Sequence, residues 1–185
     1  MPSGPGVIDE DRIRDVADWT PPGVSAFLLT SRTDPDDIVR QHQLCRTHAV
    51  QLCDRVSIEG LASLRERLPG VRLVQVVHVE GPENVDEAEE LAGWVDAMLL
   101  DSGRPSATVR ELGGTGRVHD WSVSARIVHH SPVPVFLAGG LRPDNVEEAI
   151  RCVRPFGVDL CTGVREDGHL HPETLEAFMA AVRSA

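Results

Sequence analysis

The residues best suited to chemistry stand directly after short apolar segments of the chain. Asp101 follows the segment VDAMLL, and a loop that contains Gly114 and Gly116 leads from it to Asp120. A glycine-bearing loop can fold over a ligand, which would place the Asp120 carboxyl at the rim of a site. Asp is also a favoured residue at the start of a helix, so Asp120 has a second, purely structural interpretation as an N-cap.

Two later segments have the composition of a phosphate-binding site. Gly139 and Gly140 follow the apolar segment VPVFLA, and paired glycines let a backbone approach a phosphate closely. The alternative is a tight turn that requires positive φ. The next apolar segment ends in a run with an acid, a thiol, a hydroxyl and a glycine, which could form the other half of a phosphate cup: Asp159, Cys161, Thr162 and Gly163.

The cysteines and histidines predict no metal site. None of the four cysteines forms a C-x-x-C pair, and His169 and His171 have no third ligand nearby in the sequence. Cys53 ends an apolar segment, so it either faces a pocket or is a buried, inert thiol. We therefore expect no metal and no cofactor.

Composition limits the partners that the chain can bind. The 185 residues include 18 Lys and Arg against 29 Asp and Glu, a formal charge of −11, which argues against a nucleic-acid partner. A small phosphorylated ligand remains compatible, because backbone N–H groups can hold it. No apolar run reaches the roughly 20 residues that cross a bilayer, and no signal peptide is recognisable. Free thiols indicate a cytoplasmic protein.

The apolar runs predict parallel strands alternating with helices. Most runs are continuous rather than alternating, as in strands buried on both faces, and one helix is expected after each. Six βα units fit either an open doubly wound sheet or part of a (βα)₈ barrel, and in both folds ligands bind at the carboxyl ends of the strands. The predicted strands are Val24–Leu29, Ala49–Leu52, Val71–Val77, Val95–Leu100, Val133–Leu137 and Val158–Cys161. The predicted helices are Asp9–Trp19, Asp34–Arg46, Ser57–Arg67, Asn84–Gly93, Asp120–His130, Pro143–Val153 and Pro172–Val182.

Three motifs together resemble the phosphoribosylanthranilate isomerase family of tryptophan biosynthesis. They are LLDS with GGTG-R-V-H-D-W, then PVFLAGGLRPDNVEEAI, then VRPFGVDLCTGV. The resemblance implies one domain over residues 1–185 with a (βα)₈-barrel-like fold of about six βα units, open because the first two strands are missing. It also implies an Amadori isomerisation of a phosphoribosyl-amine, with Asp120 as general acid. The phosphate would lie at Gly139 and Gly140 and at Asp159, Cys161, Thr162 and Gly163, with Cys53, Asp101, Gly114 and Gly116 as further pocket residues.

The sequence also departs from the family pattern. The family's catalytic base is a Cys in a Lys-Ile-Cys-Gly motif, which this sequence lacks, and Cys53 stands where the family has a His. Two functions remain open: an isomerase with another base, or a non-catalytic phosphosugar-binding or structural homologue. A third interpretation is a shortened reading frame of an ordinary enzyme.

Missing strands would leave two unpaired sheet edges. Such edges are normally paired or covered. We therefore expect either a homodimer across the opening or coverage by residues 1–19, with Ile13 and Trp19 as the covering side chains.

Overall fold

A computed structural model describes residues 7–103 and 118–185 of the chain. The backbone divides into two compact units. The first comprises Met1–Val76 and Gly93–Ala97, and the second comprises Val77–Ala92 and Met98–Ala185. In both units parallel strands alternate with helices, so the predicted α/β class is confirmed.

The first unit is built around three parallel strands in the order β1-β2-β3. Its strands are β1 (Phe27–Thr30), β2 (Ala49–Leu52) and most of β3 (Arg72–His78), and its helices are α1 (Glu10–Trp19), α2 (Pro35–Cys45) and α3 (Ile58–Arg67). In the β1–β2 register Phe27 lies beside Ala49, and in the β2–β3 register Ala49 lies beside Arg72. All four residues of β2 are buried, the polar Gln51 among them, as in a strand covered on both faces.

Side chains at the helix starts explain where the helices of the first unit begin. The carboxylate of Asp34 accepts hydrogen bonds from the backbone N–H groups of Asp36 and Asp37, and Pro35 occupies the first helical position. Asp9 and Ser57 cap α1 and α3 in the same way. These caps satisfy backbone donors that have no partner inside the helix.

The second unit pairs its three parallel strands in the order β4-β5-β6. Met98 lies beside Val135, and Phe136 lies beside Gly157. A short antiparallel hairpin precedes the last helix, whose start is capped by the His171 side chain. The elements are β4 (Ala97–Asp101), β5 (Val135–Leu137), β6 (Gly157–Val158), β7 (Arg165–Glu166), β8 (His169–Leu170), α4 (Asn84–Ala92), α5 (Trp121–His130), α6 (Val146–Val153) and α7 (Pro172–Ser184).

Several segments differ from the sequence prediction. Strand β1 begins at Phe27 rather than Val24, and β4 and β5 begin at Ala97 and Val135, two residues later than predicted. The last parallel strand ends at Val158 rather than Cys161, because the chain turns into a 3₁₀ helix that begins at Thr162. The hairpin of β7 and β8 was not predicted, since each of its strands has only two residues. Helix α6 begins at Val146, because the Arg142–Asn145 segment forms a turn closed by the Asn145 side chain.

The amino-terminal part of the first unit exposes more apolar surface than the sequence predicts. Strand β1 ends the strand order of its sheet, and Phe27 and Leu29 are exposed while Leu28 and Thr30 are buried. The expectation that Trp19 covers an open edge is wrong, because 88% of its surface is exposed. No helix among the described residues is long and apolar enough to cross a membrane.

Candidate functional site

The predicted phosphate-binding residues lie together in one pocket of the second unit. The pocket opens at the carboxyl ends of β4, β5 and β6, where parallel α/β folds bind ligands. Every lining residue therefore follows or ends a strand. The lining consists of Asp101, Ala138, Gly139, Gly140, Leu141, Asp159, Leu160, Cys161, Thr162 and Gly163. Phosphate binding by these residues stays a prediction, but the grouping on which it depends is present.

Glycine is required at two of these positions. Gly139 has φ of +85°, and a Cβ atom there would lie 2.9 Å from the backbone nitrogen of Ser102. At Gly163 a Cβ atom would collide with the carbonyl oxygen of Leu141. Gly140 also has positive φ, at +64°, so the tight-turn interpretation of the glycine pair is correct as well. The turn with positive φ is also what brings the Gly139 backbone close to Ser102.

Hydrogen bonds hold the loop after β5 in place. The backbone N–H of Ala138 donates to the carbonyl oxygen of Leu100 at 2.7 Å, and the Asn145 side chain donates to the carbonyl oxygen of Gly140 at 3.0 Å. Among the described residues, no acceptor takes a hydrogen bond from the backbone N–H groups of Gly139 and Gly140. These two donors are available to an anion.

Two carboxylates make the pocket acidic. Asp101 is buried and accepts a hydrogen bond from the backbone N–H of Ser102 at 2.8 Å. Asp159 keeps part of its surface exposed, yet burial raises the pKa of its carboxyl, and the negative charge of Asp101 raises it further. Within the described part of the chain, the lining contains no Lys or Arg. An anion there depends on backbone donors, while the carboxylates suit hydroxyl or amine groups of the same ligand.

Asp120 is the N-cap of α5. Its carboxylate accepts a hydrogen bond from the backbone N–H of Ser122 at 2.9 Å, so the N-cap interpretation is confirmed. Hydrogen bonds from the hydroxyl and the N–H of Ser122 lower the pKa of this exposed carboxyl, and the nearby His119 lowers it slightly more. A general acid must carry a proton, so this environment alone favours the wrong form for that role.

The sequence prediction missed two polar residues beside the predicted site. The Nε2 atom of His119 lies 2.7 Å from the Ser124 hydroxyl, and burial lowers the pKa of the ring although Asp101 and Asp120 oppose that effect. Among the described residues, the His119 Nδ1 atom and the buried Ser102 hydroxyl have no hydrogen-bond partner. Ser102 directly follows a strand, and His119 directly precedes the N-cap of a helix. These positions were the available signal.

Cys53 has the environment of a structural thiol in the first unit. It is 5% exposed, and its Sγ atom lies 3.8 Å from the carbonyl oxygen of Gln51. It does not line the second-unit pocket. Gly114 and Gly116 lie outside the described residues. Within the described ranges, no cluster of three or more His, Cys, Asp or Glu side chains is arranged to hold a metal ion.

The family model and the curated relatives agree on one family. The family model "N-(5'phosphoribosyl)anthranilate (PRA) isomerase" matches residues 29–181. A relative from Methanocella arvoryzae, an N-(5'-phosphoribosyl)anthranilate isomerase, is 37% identical over 88% of this chain and 74% of its own length.

Solved structures show the same fold class. The phosphoribosyl anthranilate isomerase from Thermotoga maritima has a TM-score of 0.82 at 26% identity, over 100% of this chain and 85% of its own. Another isomerase structure, a complex with reduced 1-(o-carboxyphenylamino)-1-deoxyribulose 5-phosphate, has a TM-score of 0.79 at 24% identity, over 100% of this chain and 84% of its own. The expected barrel-type α/β fold with six parallel strands is confirmed.

Proposed function

This chain belongs to the N-(5'-phosphoribosyl)anthranilate isomerase family, and from that premise we propose that it catalyses an Amadori isomerisation of a phosphoribosyl-amine. The observation that carries the proposal is the second-unit pocket. Its glycine loops after β5 and β6 offer backbone to a phosphate, and Asp101 and Asp159 offer acceptors to hydroxyl or amine groups. A phosphorylated sugar-amine in a relative's solved complex supports this class of ligand.

The proposed reaction breaks the C–O bond of the sugar ring and transfers protons, with no net oxidation, and it requires no cofactor. An acid protonates the ring oxygen of the aldose, the ring opens to an iminium ion, and a base removes the proton from the adjacent carbon. The resulting enolamine becomes the aminoketose. Asp120 is the proposed acid, and it must be protonated when the ligand is bound. A phosphorylated ligand that removes water from this carboxylate and brings negative charge close to it would raise its pKa from the lowered value of the free chain.

Turnover by this reaction depends on a base that takes the proton from carbon. The sequence has no Lys-Ile-Cys-Gly segment, and Cys53 is a buried thiol at the end of β2. The capping role of Asp120 and the lowered pKa of its carboxyl favour a second candidate function. In that alternative the chain binds a phosphorylated sugar in the same pocket, or serves as a structural homologue, without turnover.

Turnover of freshly prepared phosphoribosylanthranilate separates the two candidates. We expect Asp120→Asn to lower kcat by about 10²–10⁴-fold, because Asn caps a helix as well as Asp does but cannot donate the acidic proton. Asp34→Asn is the matched control. It removes the same charge at another helix N-cap, where Asp34 accepts from Asp36 and Asp37, and it should leave kcat unchanged.

The outcome assigns the function. If the wild type turns over and Asp120→Asn does not, Cys53→Ser then tests whether the buried thiol is the base. An Asp120→Asn enzyme as active as the wild type would remove Asp120 from the mechanism. A wild type without turnover, whose pocket still binds phosphate, would establish the non-catalytic alternative.

A further inference from the structure

Arg142 lies beside both glycine loops of the second-unit pocket. The Nη1 atom of its guanidinium donates to the carbonyl oxygen of Gly140 at 3.4 Å. Its backbone also approaches the other loop, because a Cβ atom at Gly163 would lie 3.6 Å from the Arg142 Cα atom. Gly140 and Gly163 both line the pocket. A positive charge therefore stands next to a pocket whose carboxylates, Asp101 and Asp159, are negative.

One side chain fixes the backbone of Arg142 relative to the loop after β5. The Asn145 Oδ1 atom accepts a hydrogen bond from the Arg142 N–H at 2.8 Å, and the Asn145 Nδ2 group donates to the carbonyl oxygen of Gly140 at 3.0 Å. Leu141, between Gly140 and Arg142, is buried. The Arg142 side chain therefore starts from a fixed point close to the backbone N–H groups that are available to an anion.

The guanidinium of Arg142 is held only loosely. Its Nε atom donates to the Asp144 carboxylate at 3.2 Å, and this contact and the one to Gly140 are both long for hydrogen bonds. Both members of the ion pair face solvent, since the side chain of Arg142 is 48% exposed and that of Asp144 is 72% exposed. Exposed ion pairs contribute little to stability, so a doubly charged ligand nearby can compete with Asp144 for the guanidinium.

We propose that Arg142 is a phosphate-binding residue of this pocket. Its guanidinium leaves Asp144 and binds the phosphate group that the N–H groups of Gly139 and Gly140 hold. The inference rests on the phosphorylated ligand of the proposed function. A guanidinium suits this place because its planar fork of donors pairs with two phosphate oxygens at once. Its charge also offsets the repulsion between the phosphate and the two carboxylates of the pocket.

Asp144 acts as a competitor for the guanidinium in the free chain. Removal of its carboxylate should therefore strengthen phosphate binding, and it should do so only while Arg142 is present. A purely structural role of the ion pair predicts the opposite result. In that case the pair would stabilise the turn after β5, and loss of either Arg142 or Asp144 would weaken phosphate binding.

Calorimetric titration of the full chain with inorganic phosphate tests the proposal. Arg142→Gln should raise the phosphate Kd about tenfold, because it removes a charge-assisted contact. Arg142→Lys should raise it less, since an ammonium group keeps the charge but loses the fork. Asp144→Asn should lower Kd roughly two- to fivefold, and it should have little effect in the Arg142→Gln background. Urea unfolding of each variant verifies that it is folded during the titration.

Two variants of α6 are the matched controls. Arg151→Gln removes a positive charge from an exposed side chain that pairs with Glu147, and Glu148→Gln removes a negative charge from another exposed side chain. Both make the same charge changes as the test variants. Their Kd values for phosphate should stay within about twofold of the wild type, because salt screens exposed charges that do not touch the ligand.

The outcomes separate this proposal from the proposed function. A folded Arg142→Gln variant that binds phosphate as the wild type does would overturn the role of Arg142. So would a gain from Asp144→Asn that persists in full without Arg142, because it would then be a general effect of charge. A wild type that binds no phosphate would overturn both this role and the ligand of the proposed function. A phosphate affinity that depends on Arg142 in a chain without turnover would support this role and overturn the isomerase activity alone.

Discussion

The strand ends of the first unit are filled by side chains, whereas those of the second unit leave backbone open to a ligand. At the end of β2, the fully buried Gln75 side chain donates to the carbonyl oxygens of Leu52 at 3.0 Å and of Asp54 at 2.9 Å. Its amide oxygen also accepts a hydrogen bond from the backbone N–H of Val56 at 3.4 Å. In the second unit, Gly139 and Gly140 follow β5 and have no side chains that could cover the strand end.

An acidic residue alone does not distinguish the two regions. Asp54 and Asp101 each end or follow a strand, are buried, and accept a hydrogen bond from the next backbone N–H at 2.8 Å. The difference lies in their neighbours, because a glutamine closes one strand end and glycines open the other. A candidate site is therefore better recognised by backbone groups that no side chain covers, beside a carboxylate, than by the carboxylate itself.

Gly139→Ala should have the largest effect of the variants that test this comparison. Its Cβ atom would combine positive φ with a close approach to Ser102, and we expect a loss of about 2–4 kcal/mol of unfolding free energy together with loss of phosphate binding. Gly70→Ala has nearly the same φ, +83° against +85°, but its Cβ atom meets no atom within 4 Å. It should lose only about 1 kcal/mol and keep phosphate binding. Urea unfolding and phosphate titration measure both.

The paired glycine variants also separate the cost of positive φ from the cost of a steric clash at the Cβ atom. Equal losses in Gly139→Ala and Gly70→Ala would mean that backbone strain accounts for everything and that the approach to Ser102 carries no weight. Phosphate binding retained in Gly139→Ala would remove the loop after β5 from the site.

Gln75→Leu should destabilise the first unit by about 2–3 kcal/mol, because it removes the hydrogen bonds to Leu52, Asp54 and Val56 and leaves buried backbone groups without them. Phosphate binding should be unaffected under conditions in which the variant is fully folded. Gln43→Leu, on the exposed side of α2, is the control and should change the urea midpoint little. A phosphate affinity that falls with Gln75→Leu in a folded protein would contradict the separation of a closed and an open strand end.

Asp159→Asn should have the smallest effect, a several-fold gain in sulfate affinity, because it removes a negative charge from the pocket. Since the pKa of Asp159 is raised in the folded chain, its ionisation costs stability, and that cost develops as pH rises from the unfolded pKa through the folded one. As pH falls through this range, Asp159 takes up a proton and loses its negative charge, so wild-type sulfate affinity should rise. Asp159→Asn should weaken that dependence. Asp167→Asn, in the exposed β7–β8 turn, should retain it. A pH dependence unchanged by Asp159→Asn would assign it to another group.

The order of strands and helices could be read from the sequence because its signals are local. The bounds of Ala49–Leu52 follow from its mostly apolar sequence, and the caps Asp34 and Ser57 follow from the chemistry of helix starts. The β7–β8 hairpin and the exposure of Trp19 were not predictable, since two-residue strands leave no pattern and exposure depends on what packs nearby.

The candidate site could be predicted in position but not in protonation. Its glycines and carboxylates follow predicted strands, so their grouping was expected. The lowered pKa of Asp120 depends on its hydrogen bonds with Ser122, and the raised pKa of Asp159 depends on burial and on Asp101. The effect on Asp159 requires three-dimensional proximity that spacing along the chain does not give, whereas the effect on Asp120 is local and follows from its place as an N-cap.

The most direct test of the central claim is a backbone amide NMR titration with inorganic phosphate. We predict that the amides of Gly139, Gly140, Thr162 and Gly163 shift in a saturable way and that those of Cys53 and Asp54 do not. Shifts confined to the β2 end, or no saturable shift at the glycine loops, would contradict the assignment of the ligand site to the open strand ends of the second unit.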